Sequence, residues 1–458
     1  MIHRFKNNGY NIVLDVNSGC VHVVDDIAYD AIGLMDEGCE DVVAAIADKY
    51  PEETKSDIEE LISEIDSLKE SEVLFSKDIY EDYVFDVSKR QTVVKALCLH
   101  IAHDCNLACK YCFAGEGEYH GRTALMSFEV GKKALDFLVE NSGSRRNLEV
   151  DFFGGEPLMN FDVVKQIVEY GRSLEETHDK KFRFTLTTNG VLLDDDIMEF
   201  ANKEMANLVL SIDGRKEVHD NMRPSRNGKG SYDLIFPKFV KAAESRNQTD
   251  YYVRGTFTHY NTDFYKDVLH LADLGFKQIS VEPVVAPPTD DYAITEEDVE
   301  TICEGYDKLA AEMLKREKEG KGFNFFHFMI DLTGGPCVAK RLSGCGSGTE
   351  YLAVTPWGDL YPCHQFVGNE DFLLGNLDEG IKKTDICADF KLCNVYSKPK
   401  CKDCFAKFYC SGGCAANAYN FHGSILESYD IGCMLQKKRV ECALMLQAAR
   451  DEDNENAD

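Results

Sequence analysis

Between about residues 93 and 320, six apolar, β-branched runs alternate with helix-period segments, and no other feature restricts the fold of this chain as strongly. The runs are ALCLHIA, LEVDFF, FRFTLTT, NLVLSI, YYVRGTFT and QISVEPV. Helical text separates them, as in FEVGKKALDFLVENS and FDVVKQIVEYGRSL, and the series closes with TEEDVETICEGYDKLAAEMLKREKEG. Six βα repeats imply an α/β fold with a parallel sheet, open or curled into a partial (β/α)6 TIM-like barrel. The first four strands run out into HDCN, GGEP, TNG and SIDG. Ligands of such folds bind at the C-terminal ends of the strands. These scattered fragments are therefore expected to meet in one pocket.

The chain has 458 residues, enough for two to four domains, and 44% of them are hydrophobic, enough for a sizeable core. It contains no apolar run of membrane-spanning length and no secretory signal pattern at its start, so the expectation is a cytoplasmic protein with no membrane partner. A net charge of −30 repels nucleic acid. Eighteen cysteines in a reducing compartment read as metal ligands or catalysts rather than disulfides. Cys20, Cys39, Cys98 and Cys303 are isolated and read as packed thiols.

Residues 1–85 read as a separate module. IHRFK, NIVLDV and CVHVV are short strands joined at NNGY and NSGC, both hairpin signals. Three helical segments follow, within AYDAIGLM, CEDVVAAIADKY and TKSDIEELISEIDSLKESEVL. This order suits a winged-helix-like module. Its third helix is acidic, which disfavours DNA and favours a peptide added as a strand at the edge near Cys20–Val24. The alternative is a structural cap. At the other end, residues 451–458 form an acidic, polar tail expected to be disordered.

HDCNLACKYCF holds Cys105, Cys109 and Cys112 in a C-x3-C-x2-C spacing. Three thiolates on one loop can ligate three irons of a [4Fe–4S] cluster and leave the fourth open to a small chelating molecule. Zinc is the other metal such thiols bind. Glycines in GGEP let backbone oxygens approach an ammonium, and Glu156 can add negative charge. Beyond residue 330, Cys345, Gly358 and Cys363 form C-x12-G-x4-C. Cys401, Cys404, Cys410 and Cys414 form C-x2-C-x5-C-x3-C, and Cys433 follows after eighteen residues.

The cysteine loop and GGEP resemble the radical S-adenosylmethionine (radical SAM) superfamily, and the later cysteines resemble its SPASM extension. The resemblance implies three domains: a RiPP recognition element at 1–85, a radical SAM partial barrel at 93–320 and a SPASM domain at 321–450. RiPPs are ribosomally made peptides modified after translation. It implies three [4Fe–4S] clusters and S-adenosylmethionine bound near Tyr111, Gly154, Gly155, Glu156, Thr188, Asn189, Ser211 and Asp213. Carried onto matching positions, Cys401, Cys404, Cys410 and Cys433 hold an outer auxiliary cluster. Cys345, Cys363 and Cys414 hold an inner one, with Cys337 the candidate fourth ligand. If Cys337 does not reach, a substrate thiolate can take the open iron.

Sulfatase-maturing relatives carry an aspartate where this chain has His364, which argues against formylglycine formation and leaves His364 a candidate base. The arrangement looks most like maturases of cysteine-rich SCIFF peptides. It implies formation of a thioether (sactionine-type) between a cysteine sulfur and a carbon of another residue, with a ferredoxin or flavodoxin as reductant. The alternatives are another radical peptide modification and a non-enzymatic iron–sulfur peptide-binding or electron-transfer protein.

Overall fold

In the computed structural model the described residues are 1–89, 92–119, 122–330, 332 and 338–455. The chain opens with an antiparallel sheet of β1 (Ile2–Asn7), β2 (Tyr10–Asp15) and β3 (Val21–Val24), in that order. The helices α1 (Asp26–Asp36), α2 (Val42–Lys49) and α3 (Lys55–Glu70) follow. The first starts ahead of its apolar text because the Asp25 side chain accepts from the Ala28 N–H, satisfying a donor the helix leaves unpaired. Val13, Ala31, Ile32, Ile46, Ile58 and Ile65 close a small core between these strands and helices.

The main sheet contains β4 (Ala96–His103), β5 (Ala124–Leu125), β6 (Asn147–Gly154), β7 (Lys181–Thr188), β8 (Met205–Ser211), β9 (Tyr251–Phe257) and β10 (Gln278–Pro283). All six anticipated strands are there, and β10-β9-β8-β7-β6-β4 is parallel throughout. The sheet continues at both ends into the region after residue 320. On one side β11 (Asn324–Phe325) runs parallel to β10. On the other, β12 (Tyr351–Val354) runs parallel to β4 and carries the antiparallel β13 (Asp359–Tyr361), β14 (Gly375–Asn376) and β15 (Gly380–Ile381). These strands are too short to show a period in sequence. The small β5 pairs with the end of β4.

Helices between the strands cover the sheet, among them Phe128–Asn141, Phe161–His178 and Glu296–Lys318. Their starts carry the expected signals, such as Ser127 accepting from Val130 N–H and a Thr295/Asp298 capping box. Central strands are buried on both faces, as β4 is along its whole length.

The C-terminal segment differs from expectation. The last helix runs Asp430–Glu455, so most of the acidic tail is helical. Arg450 holds it by pairing with Glu317 on the Glu296–Lys318 helix, at 3.0 Å through Nε. Residues 456–458 lie outside the described residues.

The N-terminal module packs on the cysteine-rich region. The His3 ring stacks on Phe405 with centroids 3.4 Å apart, and His3 Nε2 meets Glu441 at 3.0 Å. After α3, Asp78 accepts from the Lys407 ammonium and the Tyr396 hydroxyl, both at 2.7 Å. Among the described residues no helix is long and apolar enough to cross a membrane.

Candidate active site and cysteine sets

The loop after β4 places Cys105, Cys109 and Cys112 over the ends of the parallel strands. Two strips of chain hold it there. Segment 222–226 laces to it through Lys110 N–H to Met222 O (2.9 Å), Ala108 N–H to Pro224 O (2.8 Å) and Arg226 Nε–H to Cys105 O (2.7 Å). The end of β6 presses from below, where a Cβ on Gly155 would lie 2.1 Å from Asp104 O. A Cβ on Gly154, at φ +120°, would lie 2.3 Å from Ala102 O. Only glycine fits there, because backbone meets backbone.

A cavity of about 340 Å³ opens between this loop and the strand ends. Its wall contains all three cysteines together with Tyr111, Gly154, Gly155, Glu156, Thr188, Asn189, Ser211 and His364. Fragments from four strand ends therefore converge as the α/β pattern requires. Glu156 is buried and its carboxylate is fully engaged: it accepts from Thr188 Oγ1 (2.7 Å), Asn189 N (2.7 Å) and Leu158 N (3.0 Å). Burial pushes its pKa up to about 7 against the pull of those donors. It ties β6 to the end of β7. Asn189 Nδ2 reaches back to the cysteine loop at Asn106 Oδ1, 2.7 Å away.

Asp213 does not line the cavity. It is fully buried behind the wall, accepting from the Tyr111 hydroxyl (2.7 Å), Arg223 Nε (3.0 Å) and Thr256 N (3.0 Å). His364 faces the cavity, with Nδ1 3.4 Å from the Tyr351 hydroxyl. Burial lowers its pKa to about 4, which keeps the ring neutral. Sequence reading missed Arg223, Arg254, Thr256, Glu282, Gln365 and Asn417, which also line the cavity. Arg254 and Glu282 form an ion pair across β9 and β10. Single charged residues in unremarkable strands carry no sequence signal for this placement.

The second set is brought together as well. Cys401, Cys404, Cys410 and Cys433 line one cavity of about 620 Å³. Cys363 is buried, which pushes its thiol up to about 12, and the neighbouring Cys414 and Cys345 act in the same direction. Cys337 lies outside the described residues. Cys442 is fully buried, and Cys393 donates to Ile425 O at 3.3 Å. Of the four isolated cysteines only Cys98 is buried; Cys20, Cys39 and Cys303 are half-buried.

The donor set fits a thiolate-ligated cluster. Every described cysteine is a free thiol, and burial raises Cys105 to about 12 and Cys109 to about 11. Such thiols stay protonated until a metal displaces the proton. Among the described residues no three His, Cys, Asp or Glu side chains converge on a single-ion point. A cubane takes one thiolate at each of several corners and needs no such convergence. The cavity volume suits a ligand of cofactor size, and the buried Asn417 Oδ1 on its wall has no partner among the described residues.

Fold and site together define a parallel α/β protein with an iron–sulfur-type cysteine loop above its strand ends. Residues 99–246 match the family model described as "Radical SAM superfamily". The radical SAM cyclopropyl synthase TigE of Paramaledivibacter caminithermalis is 20% identical, over 75% of this chain and 72% of that protein. Among solved structures, anSMEcpe with bound AdoMet and Kp18Cys peptide aligns at TM-score 0.65 and 20% identity, covering 78% of this chain and 99% of that one. Streptococcus suis SuiB bound to precursor peptide SuiA aligns at TM-score 0.51 and 15% identity, covering 93% and 97%.

Proposed function

We propose that the protein is a radical SAM peptide maturase that joins a cysteine sulfur to a carbon of another residue within a cysteine-rich precursor peptide. The observation that carries this reading is the composition of the cavity wall. The three cysteines of the radical SAM loop line it together with His364, Gln365 and Asn417 of the second cysteine region. A peptide in that space would touch both.

Cys105, Cys109 and Cys112 would hold the cluster that S-adenosylmethionine completes, and the glycines of GGEP would admit the cofactor's polar end. When bound, these groups supply a 5′-deoxyadenosyl radical able to take a hydrogen atom from an unactivated carbon. The protein's own residues position and enclose. Glu156 fixes the strand ends, Arg223 and Asp213 brace Tyr111, and Phe113 and Phe153 pack beside the neutral His364 ring. An enclosed site keeps water from a reactive centre. Cys345, Cys363 and Cys414 would hold an inner auxiliary cluster backing this wall, and Cys401, Cys404, Cys410 and Cys433 an outer one.

The N-terminal module would bind the leader of the precursor at the β3 edge, raising the local concentration of the segment to be modified. SuiB bound to a precursor peptide supports this role, since a likeness over 93% of the chain leaves too few residues uncovered to omit the stretch from β1 to α3. A reducing cytoplasm suits a chain of unpaired thiols.

Mass spectrometry of a co-expressed cysteine-rich peptide tests the proposal. Each crosslink should remove two hydrogens and one alkylatable thiol. A product that keeps every thiol would select a second reading, a carbon–carbon bond or other oxidation, which the similarity to a cyclopropyl synthase favours. Failure to form 5′-deoxyadenosine with dithionite and S-adenosylmethionine would leave a non-enzymatic iron–sulfur protein.

A further inference from the structure

Cys345, Cys363 and Cys414 stand between two cavities. The first is the candidate active site, whose wall includes His364 and Gln365 after Cys363 and Asn417 after Cys414. The second, of about 440 Å³, is lined by Cys345 and by Gly413 and Ala415, the two chain neighbours of Cys414. It lies at the opposite end of the sheet: Lys95 just before β4, Asn147 at the start of β6 and Arg183 near the start of β7 all line it. Cys345 and Cys414 are exposed. A group held by this set is thus approachable from both ends of the sheet.

The charge of the second cavity opposes that of the molecule. The whole chain carries −30, yet six cations line this cavity: Lys95, Arg145, Arg183, Lys340, Lys391 and Lys398. Only two carboxylates accompany them, Glu149 and Glu350, and Glu350 pairs with Lys95. Lys398 is buried and donates to Glu427 O at 3.1 Å. No ion pair to Arg145, Arg183, Lys340 or Lys391 occurs among the described residues. Exposed cations in a low-dielectric recess set up a field that steers an anionic partner.

We propose that this basic cavity is the docking site of an acidic electron-carrier protein, of the flavodoxin or ferredoxin class, which exchanges electrons with a cluster held by Cys345, Cys363 and Cys414. The inference rests on the reading of those cysteines given above and adds to it a place and a partner. The four free cations come from separate stretches of chain, at two strand ends and on two helices, a spread that suits a broad acidic face. Redox encounters of this type bury less than about 1,200 Å² and depend on charge for their rate. A reduced carrier seated there gives up one electron, which the cluster gains; no bond forms or breaks and no proton moves.

The test uses reconstituted full-length protein, recombinant flavodoxin and ferredoxin, and the double variant Arg145→Glu/Arg183→Glu. Both side chains are exposed, so folding is not at risk. At low salt at least one carrier should bind the wild type saturably. The variant should bind it about tenfold more weakly, the difference closing as salt is raised. Iron content and dithionite-driven 5′-deoxyadenosine formation should match the wild type. Equal binding by the two proteins, or binding of neither carrier to the wild type, overturns the proposal. If the triple variant Cys345→Ala/Cys363→Ala/Cys414→Ala loses no iron, the inner cluster itself is absent, and the underlying reading falls along with the docking site.

Discussion

Gly155 carries the sharpest consequence of any single position. A Cβ there would lie 2.1 Å from the carbonyl oxygen of Asp104, beside the first cysteine. We expect Gly155→Ala to displace the cysteine loop. Binding of S-adenosylmethionine, followed by the change it makes in the reduced cluster's electron paramagnetic resonance spectrum, should weaken at least about tenfold, while any iron that the C-terminal cysteines hold in the proposed auxiliary clusters should stay in place. An unchanged spectrum would show the contact to be dispensable. Asp213 gives a second test. It is wholly buried with Arg223 as its cation, so Arg223→Met should destabilise the protein by roughly 3–5 kcal/mol in denaturant titration. Adding Asp213→Asn should recover part of that loss; a double variant no better than the single would break the argument. The sequence marked Asp213 by its place after a strand. It could not mark Arg223, which reaches it from beyond a helix.

At the level of elements, strands and helices of the parallel region were readable because each is long enough to show a period. The β12–β15 group was not, since its strands are two to four residues long and exist through pairing with β4 and with one another. The N-terminal sheet ends in β3, whose far side has no partner strand among the described residues. Val23 on it is 51% exposed. Val23→Asp should leave stability within about 0.5 kcal/mol, as exposed substitutions do. It should weaken leader-peptide binding, measured by fluorescence anisotropy, without changing peptide-independent cleavage of S-adenosylmethionine. Undiminished leader affinity would move the peptide site away from this edge.

At the scale of the whole molecule, the N-terminal module and the outer cysteine set are mechanically joined. Lys407 sits among the outer cysteines with 2% of its side chain exposed, and its counter-ion Asp78 comes from the segment after α3. Asp78→Asn would strand that ammonium, at a cost of about 2–3 kcal/mol given the partial exposure of Asp78. The variant should hold less iron at the outer set and be cleaved faster by protease near residue 78; normal iron and normal proteolysis would refute the coupling. Burial raises the Asp78 pKa, but the Lys407 and Tyr396 bonds outweigh it and leave the carboxyl below its ordinary 3.8. A depressed acid stabilises the folded state above its unfolded pKa and stops doing so as pH falls through the folded value. The clip should therefore be intact throughout the neutral range and fail only in strong acid, visible as an acid-side loss of stability in apoprotein that Asp78→Asn lacks. The amino-acid sequence alone determined the α/β repeat and the cysteine spacings, because hydrophobic period and ligand spacing are local properties of a chain. Only the tertiary structure decided which cysteines share a cavity wall, that Asp213 lies behind the candidate site with Arg223, and that Cys345 lines a basic cavity at the opposite end of the sheet. Those relations depend on residues far apart in the chain being packed together, and burial and charge act on them only once that packing exists.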